Sequence, residues 1–276
     1  MIASLDLFEL LGGFALSLAI GVLGYKRGAL SGSGVVGALV TGTLIFGLGG
    51  WEWGALLIVF FVSSSALSFY RARDKEGLAE KFAKGHRRDL GQALANGGLA
   101  ALLAVLSQIW PHPLWFVACA GAMAAVNADT WATELGVLSV SPPRAITTGR
   151  RVEVGASGGV TWLGTGSSLA GALLVGLTGG LGLMGQGWPA AGALLLAATA
   201  GGLVGSLVDS LLGATVQAIY WCETCQKETE RVIHRCGART RQLRGYLWLG
   251  NDLVNLLASI AGALVAVGAS AVLRSL

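Results

Sequence analysis

Eight long apolar stretches, separated by tight turns or basic loops, constrain this chain more than any single motif. They run over residues 7–24, 34–50, 53–70, 90–109, 114–137, 158–183, 189–220 and 246–273. Each comes close to or exceeds the roughly 18 residues that an α-helix needs to cross about 30 Å of hydrocarbon. Lipid offers no hydrogen bonds, so segments this long and apolar satisfy their backbone only as helices. Composition agrees: 12% of the residues are charged, against about 25% in a soluble domain, and the mean hydropathy is +0.67. The sequence therefore predicts an all-α, polytopic membrane helix bundle of about eight spans, a single integral membrane domain covering 1–276.

Charge sets the expected orientation. Of the 19 Lys and Arg residues, 18 fall in the loops 25–33, 71–89, 138–157 and 221–245, and only Arg274 lies on the opposite face. By the positive-inside rule these four loops are cytoplasmic and both termini outside, in what is expected to be a prokaryotic plasma membrane. The first span reads as a retained anchor, because no Lys or Arg precedes it and Lys26-Arg27 follow it. The net charge of +4 reflects this topology and gives no argument for nucleic acid.

Within the fifth span the stretch NADTWATELG puts Asn127, Asp129 and Glu134 where hydrocarbon is expected. A carboxylate buried there costs from about 2.5 to more than 10 kcal/mol, so it needs a partner, a wet cavity or a metal. On a regular helix Asn127, Thr130 and Glu134 share a face, while Asp129 lies about 160° from its centre; either Asp129 has its own partner or the helix breaks. A second polar stripe, Ser206, Asp209, Ser210, Gly213 and Gln217, runs along the seventh span, which is expected to break near Asp209 or project beyond the membrane. Asp252 stands in NDLVN with Asn251 and Asn255. These acids, all toward the cytoplasmic ends, suit one or two hard cations such as Mg²⁺, with separate interhelical hydrogen bonds as the plainer alternative.

Two segments carry anion-binding chemistry. TTGRRVEVGASGG joins Thr148, Gly149, Arg150 and Arg151 to a turn containing Gly155, Ser157 and Gly158, ahead of an expected helix start. Free amides and bidentate guanidinium groups both bind phosphate. RRDLGQALANGG repeats the theme with Arg88 at the membrane edge and Gln92 and Asn96 one turn apart. FFVSSS adds hydroxyls to the third span. In the loop 221–245, Cys222, Cys225, His234 and Cys236 have the ligand types and spacing of a structural Zn²⁺ knuckle.

Together SGSGVVGALVTGT, FFVSSS, RRDLGQALANGG, NADTWATELG, TTGRRVEVGASGG, VDSLLGATVQ and NDLVN resemble the transmembrane protein 19-like membrane family, which includes plant phytyl-phosphate kinase. The resemblance spans roughly residues 20 to 270. It implies transfer of a phosphoryl group from a nucleoside triphosphate, CTP first among them, to a prenyl monophosphate lipid. Matching positions are Asn127, Asp129, Thr130, Glu134, Thr148, Gly149, Gly155, Gly158, Asp209, Asn251, Asp252 and Asn255. On this reading Asp129, Glu134, Asp209, Asp252 and Asn255 surround Mg²⁺, with Asn127 in the catalytic group. Arg88, Asn96, Thr148, Gly149, Arg150, Arg151, Gly155, Ser157 and Gly158 hold phosphates. Phosphoryl transfer is mostly positioning and charge stabilisation, which such a set supplies. The rival class is a transporter or lipid flippase that moves protons or ions on the same acids; a non-catalytic scaffold leaves the acids without a purpose.

Overall fold

The computed structural model describes residues 7–75 and 87–275, the side chains of 274 and 275 excepted, so part of the predicted loop 71–89 lies outside the described residues. Among the described residues there are eight long helices: α1 (Leu7–Lys26), α2 (Gly32–Gly49), α3 (Trp51–Phe69), α5 (Leu90–Ile109), α6 (Leu114–Gly136), α7 (Trp162–Gly182), α8 (Trp188–Thr215) and α9 (Asn251–Ser275). A single turn, α4 (Ala72–Lys75), follows α3. Six of the eight are long and apolar enough to cross a membrane by length and composition; α6 and α7 fall outside that group. The reason is visible in the sequence. The second half of α6 carries Asn127, Asp129 and Glu134, and α7 is diluted by glycine and hydroxyl residues.

Buried side chains on every face mark α6 as the central helix. All residues from Phe116 to Ala128 are buried, and α6 packs against α3, α5, α7, α8 and α9. A helix that is apolar all round belongs inside a bundle. Small residues allow the approach: a Cβ on Gly121 would meet the carbonyl oxygen of Gly262 on α9 at 2.5 Å. Such contacts hold helices together where lipid removes the hydrophobic drive. The opposite extreme is α1, which leans on α2 and leaves Phe8, Leu11, Phe14 and Leu23 exposed, as a lipid-facing helix does.

Local sequence fixes the helix starts. Ser31 caps α2, its Oγ accepting from the Gly34 N–H at 3.1 Å. Asp89 and Gln92 form a reciprocal capping box on α5, at 2.9 and 3.2 Å. Thr161 caps α7, accepting from the Gly164 N–H at 2.9 Å. The predicted sixth span, 158–183, therefore starts too early. Its first residues form β2 (Gly159–Val160), which pairs antiparallel with β1 (Arg144–Ala145).

Of the alternatives open at Asp129 and Asp209, the helix break is not the one realised: α6 and α8 run through both residues, and α8 ends at Thr215 instead of 220. The chain then enters a three-stranded antiparallel ribbon, β3 (Ile219–Cys222), β4 (Lys227–Thr229) and β5 (Arg241–Arg244), in the order β4-β3-β5. The loop 221–245 is thus mostly this ribbon, and the last helix begins at Asn251, not 246.

Candidate functional site

The ends of α3, α6 and α8 and the starts of α5, α7 and α9 meet at the end of the bundle that carries the basic loops. They enclose a cavity of ≈ 270 Å³ where polar side chains and glycine backbone meet apolar residues such as Val154, Leu203 and Leu207. Asp129, Thr133 and Glu134 come from α6, Ser206, Asp209 and Ser210 from α8, and Asn251 and Asn255 from α9. The helical wheel separates Asp129 from Glu134, and the cavity resolves the conflict by wrapping around a broad arc of an intact α6.

The acids within it differ. Glu134 is an ion-paired group: its Oε1 accepts from Ser68 Oγ at 2.7 Å and its Oε2 from Lys75 Nζ at 2.6 Å. Asp129, Asp209 and Glu230 line the same cavity. Neither aspartate has an ion-pair partner among the described residues. Oδ2 of Asp209 is buried without a hydrogen bond, as is Oδ1 of Asn96, which also lines the cavity. An oxygen-only donor set with an orphaned carboxylate oxygen fits a hard divalent cation.

Arg88 brings the positive charge. Its backbone is clamped between the α1–α2 connection and α5, the Ser31 N–H donating to Arg88 O and the Arg88 N–H to Ala29 O, both at 3.0 Å. The guanidinium donates to Ser65 Oγ at 3.0 Å and lies 5.6 and 5.9 Å from the centroids of the Phe60 and Phe61 rings. Beyond it is a smaller apolar pocket of ≈ 60 Å³ among α1, α2, α3 and α5, walled by Ile20, Leu57 and Phe61 among others. Arg88, Gln92 and Asn96 line both spaces.

The glycine loop divides. Gly155, Ser157 and Gly158 line the cavity; Gly158 has φ +81° and approaches α8 so closely that a Cβ would sit 2.6 Å from Ala214 Cα. Thr148, Gly149, Arg150 and Arg151 do not line it. They form an exposed hairpin tip, with the Ala145 N–H donating to Arg150 O at 2.9 Å and the Val152 N–H to Pro143 O at 3.0 Å. Pairing of β1 with β2 turns this tip outward, so the two arginines stand at the rim or beyond it.

Two other residues of the expected site are also displaced. Asn127 is fully buried away from the cavity, its Oδ1 accepting from Ser63 and Ser64 Oγ at 3.0 and 3.3 Å and its Nδ2 donating to Gly171 O at 2.8 Å. It ties α6 to α3 and α7. Asp252 is absent from the lining, where Asn251 and Asn255, four apart on α9, take the face. Conversely, Ser68, Lys75, Thr161 and Glu230 belong to the site without having been expected there. Ser68 follows Ser64 at helical spacing, a signal the sequence offers; Glu230 sits in the cysteine ribbon and has no local signature.

In that ribbon the ligand atoms of Cys222, Cys225, His234 and Cys236 all lie within 4.8 Å of one another, the geometry of a metal-binding group. The Ala238 N–H and His234 draw the Cys236 thiol down to about 6. Hydrogen bonding to Cys236 pushes Cys225 up to about 11.

Comparison with known proteins gives the lineage. Residues 15–263 match the family model described as integral membrane protein DUF92. The chain is 32% identical to "Protein PGR" of Arabidopsis thaliana, over 91% of this chain and 92% of that one. It is 31% identical to the "Uncharacterized membrane protein MJ0933" of Methanocaldococcus jannaschii, over 88% and 86%. No solved structure matches. A family match over nearly the whole bundle, with two relatives covered almost end to end, makes this chain a member of the DUF92 family of integral membrane proteins.

Proposed function

We propose that this membrane protein is a Mg²⁺-dependent kinase that transfers a phosphoryl group from a nucleoside triphosphate, CTP first among the candidates, to a prenyl monophosphate. The observation that carries the reading is the convergence of two aspartates without an ion-pair partner among the described residues, a half-buried arginine and a glycine loop on one cavity that borders an apolar pocket. An amphiphile with an anionic head needs such a pair of adjoining spaces.

Asp129 and Asp209 would hold the cation, with Asn255 as a neutral oxygen ligand. Bound there, Mg²⁺ would offset charge between the phosphates of donor and acceptor. Arg88 binds the acceptor's phosphate and fixes it at the junction of the two spaces, with its prenyl tail directed into lipid along α1, α2, α3 and α5. Amides of the 155–159 loop receive the nucleotide phosphates, and Arg150 and Arg151 meet the part of the nucleotide outside the cavity. The acceptor attacks through a phosphate oxygen that is already ionised, so no general base is required. Eight crossings with both termini outside would put the cavity on the cytoplasmic side, where nucleotides are found.

The test is to incubate the protein purified in detergent with Mg²⁺, labelled CTP or ATP, and a panel of prenyl monophosphates. Formation of a labelled diphosphate that disappears in Asp129→Asn supports the reading. A transporter or flippase would give no transfer with any acceptor while moving substrate in sealed vesicles in an Asp129-dependent way, and that pair of results overturns it.

A further inference from the structure

The cysteine ribbon is joined to the polar cavity through specific side chains. Glu230, immediately after β4 and four residues before His234, lines the cavity. Its Oε1 accepts from Gln217 Nε2 at 2.9 Å, and Gln217 Oε1 in turn accepts from Ser157 Oγ at 2.9 Å. Gln217 is 1% exposed. Arg244, on β5, donates to Gly213 O at 2.6 Å and to Ser157 O at 3.2 Å. Ribbon, glycine loop and the end of α8 thus form one hydrogen-bonded unit around Glu230.

The ribbon has little to hold it in shape. Its buried residues are few, chiefly Ile219, Tyr220, Cys222, Thr229 and His234, and a core that small does not fix three short strands without a staple. The cysteine geometry supplies one. Cys222 and Cys236 Sγ are 3.7 Å apart, far beyond the ~2.05 Å of a disulfide. They match the edge of about 3.8 Å expected between two thiolates on a tetrahedral ion with Zn–S bonds of about 2.3 Å. His234 is buried, and the polar contacts of its ring are confined to Cys236, with Nδ1 3.2 Å from Sγ.

We propose that Cys222, Cys225, His234 and Cys236 bind a zinc ion, and that this zinc module is a positioning device holding Glu230 in the cavity as a third acid beside Asp129 and Asp209. The second half rests on the reading of the cavity as a cation site, and neither half depends on which reaction occurs there. A loop otherwise explained as a mere staple then acquires a function: it sets the charge, and so the cation affinity, of a site formed by the membrane helices.

The experiment uses full-length protein in detergent, metal analysis for zinc, and Mn²⁺ binding followed by electron paramagnetic resonance. Wild type is expected to carry one zinc per chain, and Cys222→Ser with Cys225→Ser to lose it. Glu230→Gln keeps its zinc but weakens Mn²⁺ about tenfold or more, the loss typical when a group supporting a metal site is removed. The double-serine variant loses the same factor, and adding Glu230→Gln to it changes nothing further, as two lesions on one route do. Wild type without zinc overturns the inference. Mn²⁺ affinity indifferent to Glu230→Gln also overturns it, and that variant leaves the metal ligands and ribbon core intact. Wild type that binds zinc but no Mn²⁺ overturns the cation reading and the placing of Glu230 with it; Mn²⁺ binding that ignores Glu230 and the cysteines overturns this inference alone.

Discussion

Two carboxylates of α6, five residues apart and facing one cavity, are treated in opposite ways. Glu134 is matched by Lys75 and Ser68, whereas Asp129 and Asp209 share the cavity with no ion-pair partner for either among the described residues. A matched acid is complete within the fold. An unmatched pair, at the cost of burying charge near hydrocarbon, is arranged for something that arrives. The contrast separates the acid that shapes the site from those that serve it.

The largest expected effect breaks the pair that serves. Asp129→Asn or Asp209→Asn should lower phosphoryl transfer by on the order of 10²–10³-fold, the loss seen when one group stabilising transition-state charge is removed. Thermal stability should hold or rise, because the amide keeps the shape and removes a charge buried near hydrocarbon. Assays of turnover and melting on the same preparations check both; lost stability with normal turnover would reverse the assignment. Glu134→Gln should do less, roughly tenfold in turnover with Mn²⁺ affinity nearly unchanged, since its main partner is Lys75. A cycle with Lys75→Met should show strong non-additivity. If Glu134→Gln abolishes Mn²⁺ binding as fully as Asp129→Asn, the distinction between the two acids fails.

How much of this was legible in the sequence follows the same divide. The membrane bundle, the convergence of acids at its basic end and the cysteine cluster are set by long-range composition and by the cost of burial, both readable residue by residue. Distances along the chain hid the rest. Glu230 and Lys75 reach the cavity through tertiary contacts 13 and 59 positions away in sequence. The wheel placed Asn127 with Glu134, yet Ser63, Ser64 and the Gly171 carbonyl on α3 and α7 hold its amide outside the cavity that Glu134 lines. Helix starts moved by a few residues wherever a cap, as at Thr161, competed with apolar periodicity.

Asn127 provides a smaller test from the structural side. Asn127→Ala removes an amide that joins three helices and leaves Ser63, Ser64 and the Gly171 carbonyl to find other partners. The cost is about 1–3 kcal/mol of stability, as for other buried hydrogen-bonding groups left unsatisfied, with turnover per folded molecule within a few-fold of wild type. Denaturation and activity measured together decide; a hundredfold loss of turnover in a protein that melts normally would return Asn127 to the catalytic group.

The smallest effect belongs to the rim. Arg150 stands on an exposed hairpin whose backbone is held by its own pairing, whereas Arg88 is enclosed between two phenylalanine rings and a serine. Solvent screens a contact made at the first site, so Arg150→Ala should raise the nucleotide KM by less than about fivefold, corresponding to at most about 1 kcal/mol, and leave kcat alone. Arg88→Ala, which empties the junction between the polar and apolar spaces, should raise the KM for the prenyl monophosphate far more. Steady-state kinetics with each substrate varied in turn distinguishes the two. A loss above tenfold at Arg150 would extend the site outward to the hairpin tip, and with it the share of the glycine loop that takes part in binding.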